Sequence, residues 1–318
     1  MRYQIKTLPF FSPSSPSLAL KRGVFVFLNG KIIPEPRAVV SVFDRSFLYG
    51  DGLFETMHVC NGRPFRWEQH LRRLQNGAAL LKIKLPFTSA RLHQFATTLV
   101  KKNRMPDSLL RLTLSRGVGI RGYSPKGADR PVLVMSLHPM PATPASSTAK
   151  SRRAGPEAGA PVNWSLVTSA YRLPAGEPLA RFKTCNKLSQ VMARAEADAA
   201  GANEALLLNT DGDVVEGAAS NLFWIEGRAV CTPPLAAGIL SGVTRAVVIE
   251  ICRKQKIAVR EKNITPKELM RMDGVFLSLS SFGIVEATVL DGEKLNRSPL
   301  VGRLAAAYDE LLARESRG

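Results

Sequence analysis

The chain has 318 residues, 45% of them hydrophobic and 22% charged. That balance is ordinary for a globular protein, and the length allows one large domain or two with cores of their own. A formal charge of +18 raises nucleic-acid binding, but the 44 Lys and Arg are spread out, with no long basic run and no zinc-finger spacing. A basic cleft for a small anionic molecule meets the charge equally well. No run approaches the roughly 18 uncharged apolar residues of a membrane span, so neither nucleic acid nor membrane is expected as a partner.

Residues 1–22 carry short apolar stretches broken by Pro9, Pro13 and Pro16, a poor match to a signal peptide. They read as a disordered extension, or as residues upstream of the native start. From Val24 the pattern becomes regular. Residues 24–28 and 31–33 flank Asn29-Gly30, a hairpin with a tight primed turn. Residues 68–81 carry Leu71, Leu74, Ala78 and Leu81 at helical spacing, so that Arg72 or Arg73 projects from one flank. Residues 109–114 and 131–137 read as strands around a glycine-rich loop at 116–123. Residues 140–161 are rich in Pro, Ala, Ser and Gly, as a linker is. The chain is thereby divided into an α/β domain at 23–139, a linker at 140–161 and a second α/β domain at 162–318.

The second half opens with a strand at 164–168, then a helix at 188–200 stopped by Gly201. Asp211-Gly212 and Glu226-Gly227 each sit between short strands, as hairpin turns do. A helix opens around 242–245 and runs to about 254. Thr265-Pro266-Lys267-Glu268 combines an N-cap, a first-turn proline and a glutamate three residues on, which starts a short helix. A strand at 275–278 ends in a polar turn. Cys60, Cys185, Cys231 and Cys252 lie far apart without a CxxC pair, which argues against a disulfide framework or zinc site and suits a reducing, cytoplasmic compartment. His58, His70, His93 and His138 form no metal-ligand pattern and read as surface or satisfied core residues.

Four features gain meaning from their order. Lys183 stands in Arg181-Phe182-Lys183-Thr184-Cys185-Asn186, just before a helix. Glu216 ends a hairpin strand in Val214-Val215-Glu216-Gly217-Ala218-Ala219-Ser220-Asn221. Gly238-Ile239-Leu240-Ser241-Gly242-Val243-Thr244-Arg245 is a glycine-flanked helix start. Leu277-Ser278-Leu279-Ser280-Ser281 is a hydroxyl-rich strand end. Alone, a lysine is a solvated surface residue and a hairpin glutamate is exposed.

Together they resemble the C-terminal half of the class IV aminotransferase family. These are the fold-type IV pyridoxal-phosphate enzymes, which include D-amino-acid and branched-chain aminotransferases and aminodeoxychorismate lyase. Arg45 and Tyr49-Gly50-Asp51-Gly52-Leu53-Phe54-Glu55 resemble the family's N-terminal signature, and His70-Leu71-Arg72-Arg73-Leu74 its phosphate-arginine helix. The likeness spans about 24–291. It implies a two-domain α/β fold with pyridoxal 5'-phosphate at the domain junction and, as is usual for the family, a homodimer in which the neighbour closes part of the pocket.

The resemblance assigns Lys183 as the catalytic lysine that carries the cofactor. A desolvated lysine can both form a reversible imine and move a proton. Glu216 is assigned to the pyridine nitrogen, which needs a carboxylate beside it for the ring to act as an electron sink. Arg73, Val243, Thr244 and Ser280 fall to the phosphate, with Arg72 as the alternative if the register is one residue out; a helix N-terminus adds amides and dipole there. Phe54, Arg121 and Tyr123 fall to a small anionic substrate. A guanidinium can bind a carboxylate bidentately, although a structural turn is a competing reading of residues 116–124.

The loop Arg116-Gly117-Val118-Gly119-Ile120-Arg121-Gly122-Tyr123-Ser124 and the runs at 183–191 and 221–224 are similar to aminodeoxychorismate lyases. They favour a lyase releasing 4-aminobenzoate and pyruvate. The serines at 278–281 lack the Asn and Pro of lyases and are closer to aminotransferases of branched-chain or D-amino acids with a 2-oxo acid acceptor. The reading of a different class is a basic binding protein that kept the fold without catalysis.

Overall fold

The computed structural model describes residues 23–141 and 162–317. The extension expected at 1–22 and positions 142–161 of the expected linker lie outside the described residues. Among the described residues no helix is long and apolar enough to cross a membrane.

The first domain opens with the hairpin β1 (Phe25–Leu28) and β2 (Lys31–Pro34). Its turn places Asn29 and Gly30 at φ 46° and 93°, and left-handed backbone at both central residues is what a primed turn demands. There follow α1 (Arg45–Tyr49), β3 (Gly52–Cys60), β4 (Arg63–Pro64), α2 (Trp67–Leu81), α3 (Ser89–Asn103), β5 (Ser108–Ser115) and β6 (Val132–His138). The strands form one antiparallel sheet in the order β2-β1-β6-β5-β3-β4. Trp67, His70, Leu71, Leu74 and Ala78 of α2 are buried, a stripe at three- and four-residue spacing that packs on Leu53, Met57, Leu110 and Leu112. Leu92, Ala96, Leu99 and Val100 bring α3 into the same core. That helix was absent from the sequence expectations. Thr97, Thr98 and Val100 are poor helix formers, so burial rather than propensity sustains it.

The second domain runs β7 (Val162–Leu173), α4 (Leu188–Ala199), β8 (Glu204–Asn209), β9 (Val214–Gly217), β10 (Asn221–Glu226), β11 (Ala229–Thr232), α5 (Val243–Lys254), β12 (Val259–Glu261), α6 (Pro266–Leu269), β13 (Gly274–Leu279), β14 (Gly283–Leu290), β15 (Glu293–Lys294) and α7 (Pro299–Ser316). The sheet follows β12-β11-β10-β13-β14-β7-β8-β9, and β9 returns to β10 through the pair Glu216 and Asn221. Six strands thereby close a ring. Leu222 and Trp224 of β10 join Trp164, Leu206, Val214, Leu277 and Val285 inside it. The alternate residues Phe223 and Ile225 pack outward on Val247 and Val248 of α5 and Leu304 of α7, as period-two side-chain direction requires. The strand expected at 164–168 is longer, and β14 and α7 were not anticipated.

Gly283, at φ 67°, opens β14 where an added Cβ would stand 2.5 Å from a Tyr308 ring carbon. Gly283→Ala combines left-handed strain with overpacking and is expected to cost about 2–4 kcal/mol. The measurement is a urea midpoint at constant slope; an unchanged midpoint would show that the Tyr308 ring yields freely.

Candidate active site

Lys183 reaches the junction of the two sheets by pairing with the first of them. Its carbonyl accepts from Phe54 N at 2.8 Å, Cys185 N donates to Gly52 O at 2.9 Å, and Thr184 stands opposite Leu53. A strip of second-domain chain is thus laid along β3, and Lys183 opens into a cavity of about 610 Å³. The first domain contributes Phe54, Thr56, Arg73 and Leu109 to its wall. The second contributes Glu216, the turn after it, the start of α5, the end of β13 and one face of α4.

The Lys183 Nζ stands 4.8 Å from the centre of the Phe54 ring. Burial, with the Arg73 charge adding to it against the pull of Glu55 and Glu216, lowers its pKa from 10.5 to about 8. At pH 7 roughly a tenth of such an amine is neutral, against roughly one part in three thousand for an ordinary lysine. Glu216 is displaced the opposite way. Burial raises it to about 7, opposed by the Leu240 amide, Lys187 and Lys183. Its Oε2 accepts from Leu240 N at 2.9 Å and from Asn221 Nδ2 at 3.4 Å. Rather than ending an exposed hairpin, Glu216 lies in the seam that closes the ring.

Arg73 is clamped. Its Nε and Nη2 donate to the two oxygens of Glu55 at 2.8 and 2.6 Å, and Nη1 donates to Ser241 O at 2.9 Å. His70 Nδ1 lies 2.7 Å from Glu55 Oε2. Burial alone would raise Glu55, but the Arg73 charge and the His70 hydrogen bond hold it down to about 2. Burial lowers the His70 pKa in spite of that carboxylate, so a neutral His70 donates from Nδ1 to an ionised Glu55. Arg72, by contrast, is exposed. Opposite Arg73, α5 begins after Gly242, which supplies no capping side chain and leaves the first-turn amides to solvent or a ligand. A Cβ at Gly242 would meet Asn221 Oδ1 at 1.9 Å, so only glycine allows this approach.

Phe54, Arg73, Lys183, Glu216, Val243, Thr244 and Ser280 all line the one cavity. Arg121 and Tyr123 do not. Arg45 explains why: its Nη1 donates to Gly122 O and Ser124 O and its Nη2 to Tyr123 O, at 2.9 to 3.1 Å. The loop carbonyls are drawn inward and its side chains turned out, leaving Tyr123 88% exposed.

Four wall or rim residues escaped the sequence reading. Lys187 lines the cavity, with a pKa lowered by burial and partly restored by Glu216. Its spacing of one helical turn from Lys183 was the available signal. Ser278 has a buried hydroxyl without a partner among the described residues. Asn221 braces Glu216. Arg111 stacks its guanidinium 3.8 Å from the centre of the Phe54 ring, and its place on an alternating strand marks the face but not this contact.

A family model, amino-transferase class IV, matches residues 52–290. A putative branched-chain-amino-acid aminotransferase of Methanocaldococcus jannaschii is 33% identical over 285 residues, covering 90% of this chain and 94% of its own. Aminodeoxychorismate lyase of Bacillus subtilis is 28% identical over 292 residues, covering 91% and 94%. Among solved structures, the branched-chain aminotransferase of Thermoproteus uzoniensis with norvaline superposes with a TM-score of 0.82 at 26% identity, covering 92% of this chain and 96% of its own. With matches running through both sheets and the cavity between them, the chain belongs to the class IV aminotransferase family, whose members bind pyridoxal phosphate.

Proposed function

We propose that this protein is a pyridoxal-phosphate-dependent aminotransferase that passes the amino group of a branched-chain amino acid to a 2-oxo acid. The residues fit the cofactor. Lys183 offers an amine held partly neutral, Glu216 a buried carboxylate held by the protein through Oε2, and the uncapped start of α5 with Arg73 an anion site. Ser278 adds a buried hydroxyl with nothing to bond among the described residues. Bound there, pyridoxal phosphate supplies an aldehyde for the substrate's amino group and a ring that takes up electrons. Lys183 Nζ then takes a proton from the amino acid's Cα and returns it during transfer, a task suited to a base with a pKa near 8. Glu216 keeps negative charge at the ring nitrogen. Phe54, Leu109 and Leu279 exclude water and meet an apolar side chain, while Arg111 at the Phe54 ring is placed for an acid's carboxylate.

The observation that carries the aminotransferase reading is the joining of that apolar wall to Ser280 and Ser281 at the end of β13. The aminodeoxychorismate lyase reading keeps the support of the 116–124 loop and of the runs at 183–191 and 221–224. However, Arg45 holds that loop's side chains away from this cavity. The deciding experiment incubates the purified protein with pyridoxal phosphate and, separately, with L-leucine, D-alanine and aminodeoxychorismate while following the cofactor spectrum. Conversion with L-leucine and 2-oxoglutarate is expected; release of 4-aminobenzoate without transamination would reverse the assignment.

Attachment of pyridoxal phosphate, trapped with borohydride, is expected to rise with pH through a midpoint near 8, because only the neutral amine reacts and burial brings it forward from 10.5. Lys183→Ala should trap nothing at any pH. A midpoint near 10 in the parent would remove the desolvation argument, and trapping on the variant would move the assignment to another lysine.

Val39, Val42, Phe43, Phe47, Val118 and Ile120 are exposed apolar residues brought together by the bridge of Asp44 to Val118. A contiguous apolar face of this kind marks a protein contact. The reading extends to a homodimer through this face, with Arg121 and Tyr123 turned towards the neighbouring copy's cavity. Light scattering should give twice the chain mass, and Phe47→Asp with Ile120→Asp should give the single mass.

A further inference from the structure

Arg66 stands outside the cavity, at φ 55° just before α2, a left-handed conformation uncommon for a residue with a side chain. Its side chain is only 11% exposed and crosses to the second domain. Nη1 meets Glu250 Oε2 on α5 at 2.8 Å and Nη2 meets Glu315 Oε1 on α7 at 2.8 Å. Phe65 beside it enters the second domain's core, edge-on to Tyr308 at 5.8 Å between ring centres.

Arg73 makes a parallel crossing, to Ser241 O at 2.9 Å just before α5. Arg66 and Arg73 are seven residues apart, and so are Glu250 and Val243. At 1.5 Å per residue each span is about 10.5 Å. Thus α2 and α5 run antiparallel, and the two crossings match in length. Arg73 is locked to Glu55 and moves with the first domain, while the α5 amides move with the second. The gap between them is set by whatever ties one helix to the other.

We propose that the Arg66 crossing to Glu250 and Glu315 is a strut that sets the distance between Arg73 and the α5 amides, and thereby the cavity's affinity for a phosphate monoester. Arg66 is a positioning residue and touches no ligand. The proposal rests on the reading above that this end of the cavity takes the phosphate.

The test uses the full chain freed of cofactor by dialysis and compares the Kd of pyridoxal 5'-phosphate with that of pyridoxal, which shares ring and aldehyde but lacks the phosphate. Arg66→Gln and the near-isosteric Glu250→Gln should each weaken pyridoxal phosphate by about five- to tenfold while leaving pyridoxal unchanged. Equal weakening of both compounds in both variants would mean a general loosening of the fold and would overturn the strut. Arg73→Gln serves as the reference. If it abolishes the preference for the phosphorylated compound while Arg66→Gln and Glu250→Gln preserve it, the strut alone fails. If Arg73→Gln itself preserves that preference, the phosphate assignment fails and the strut with it.

Discussion

Three residues of the second domain, Lys183 to Cys185, are hydrogen-bonded to β3 of the first, and the placement of the cavity follows from that strip. It holds the lysine backbone against the strand that carries Phe54 and Glu55, so its side chain enters a space roofed by one domain and floored by the other. Backbone pairing is well suited to this task, because it fixes position without consuming the side chain. Lys183 is therefore left with a ring and buried charges as neighbours, which is why its amine is depressed rather than neutralised by a partner.

The charges around it are sorted by the same arrangement. Glu55 and Arg73 are both buried and paired with good geometry, the circumstance in which an ion pair tolerates desolvation; deleting one partner of such a pair typically costs about 3–5 kcal/mol. Glu216 has amide partners on one oxygen and lysines nearby, so burial wins and its pKa rises. Two carboxylates a short way apart thus take opposite characters. One is a fixed counter-ion for an arginine; the other can exchange a proton or a partner with something that enters.

Much of the second domain was legible because its signals are local. Asp211-Gly212, the Thr265 capping box and the Gly201 stop each act within four residues, and each appears where expected. The α3 helix and β14 were not legible. Their residues are neither strong helix formers nor cleanly alternating, and a sheet that closes on itself decides what they become. The cavity shows the same division. Seven expected residues line it, whereas Lys187, Ser278, Asn221 and Arg111 carry no motif that names them and gain their roles by proximity.

The sequence by itself determined the residue types at Lys183, Glu216, Arg73 and the glycine-flanked helix start, because imine formation, charge at a ring nitrogen and anion binding each demand particular groups in a particular chain order. The tertiary structure decided which arginine of the Arg72-Arg73 pair faces inward, since the helical stripe of α2 is set by what it packs against. It also decided that Arg121 and Tyr123 face outward, since Arg45 draws the loop's carbonyls to itself. Lastly, it decided that Lys183 is a weak acid near pH 8, because desolvation belongs to the folded cavity and to no stretch of chain.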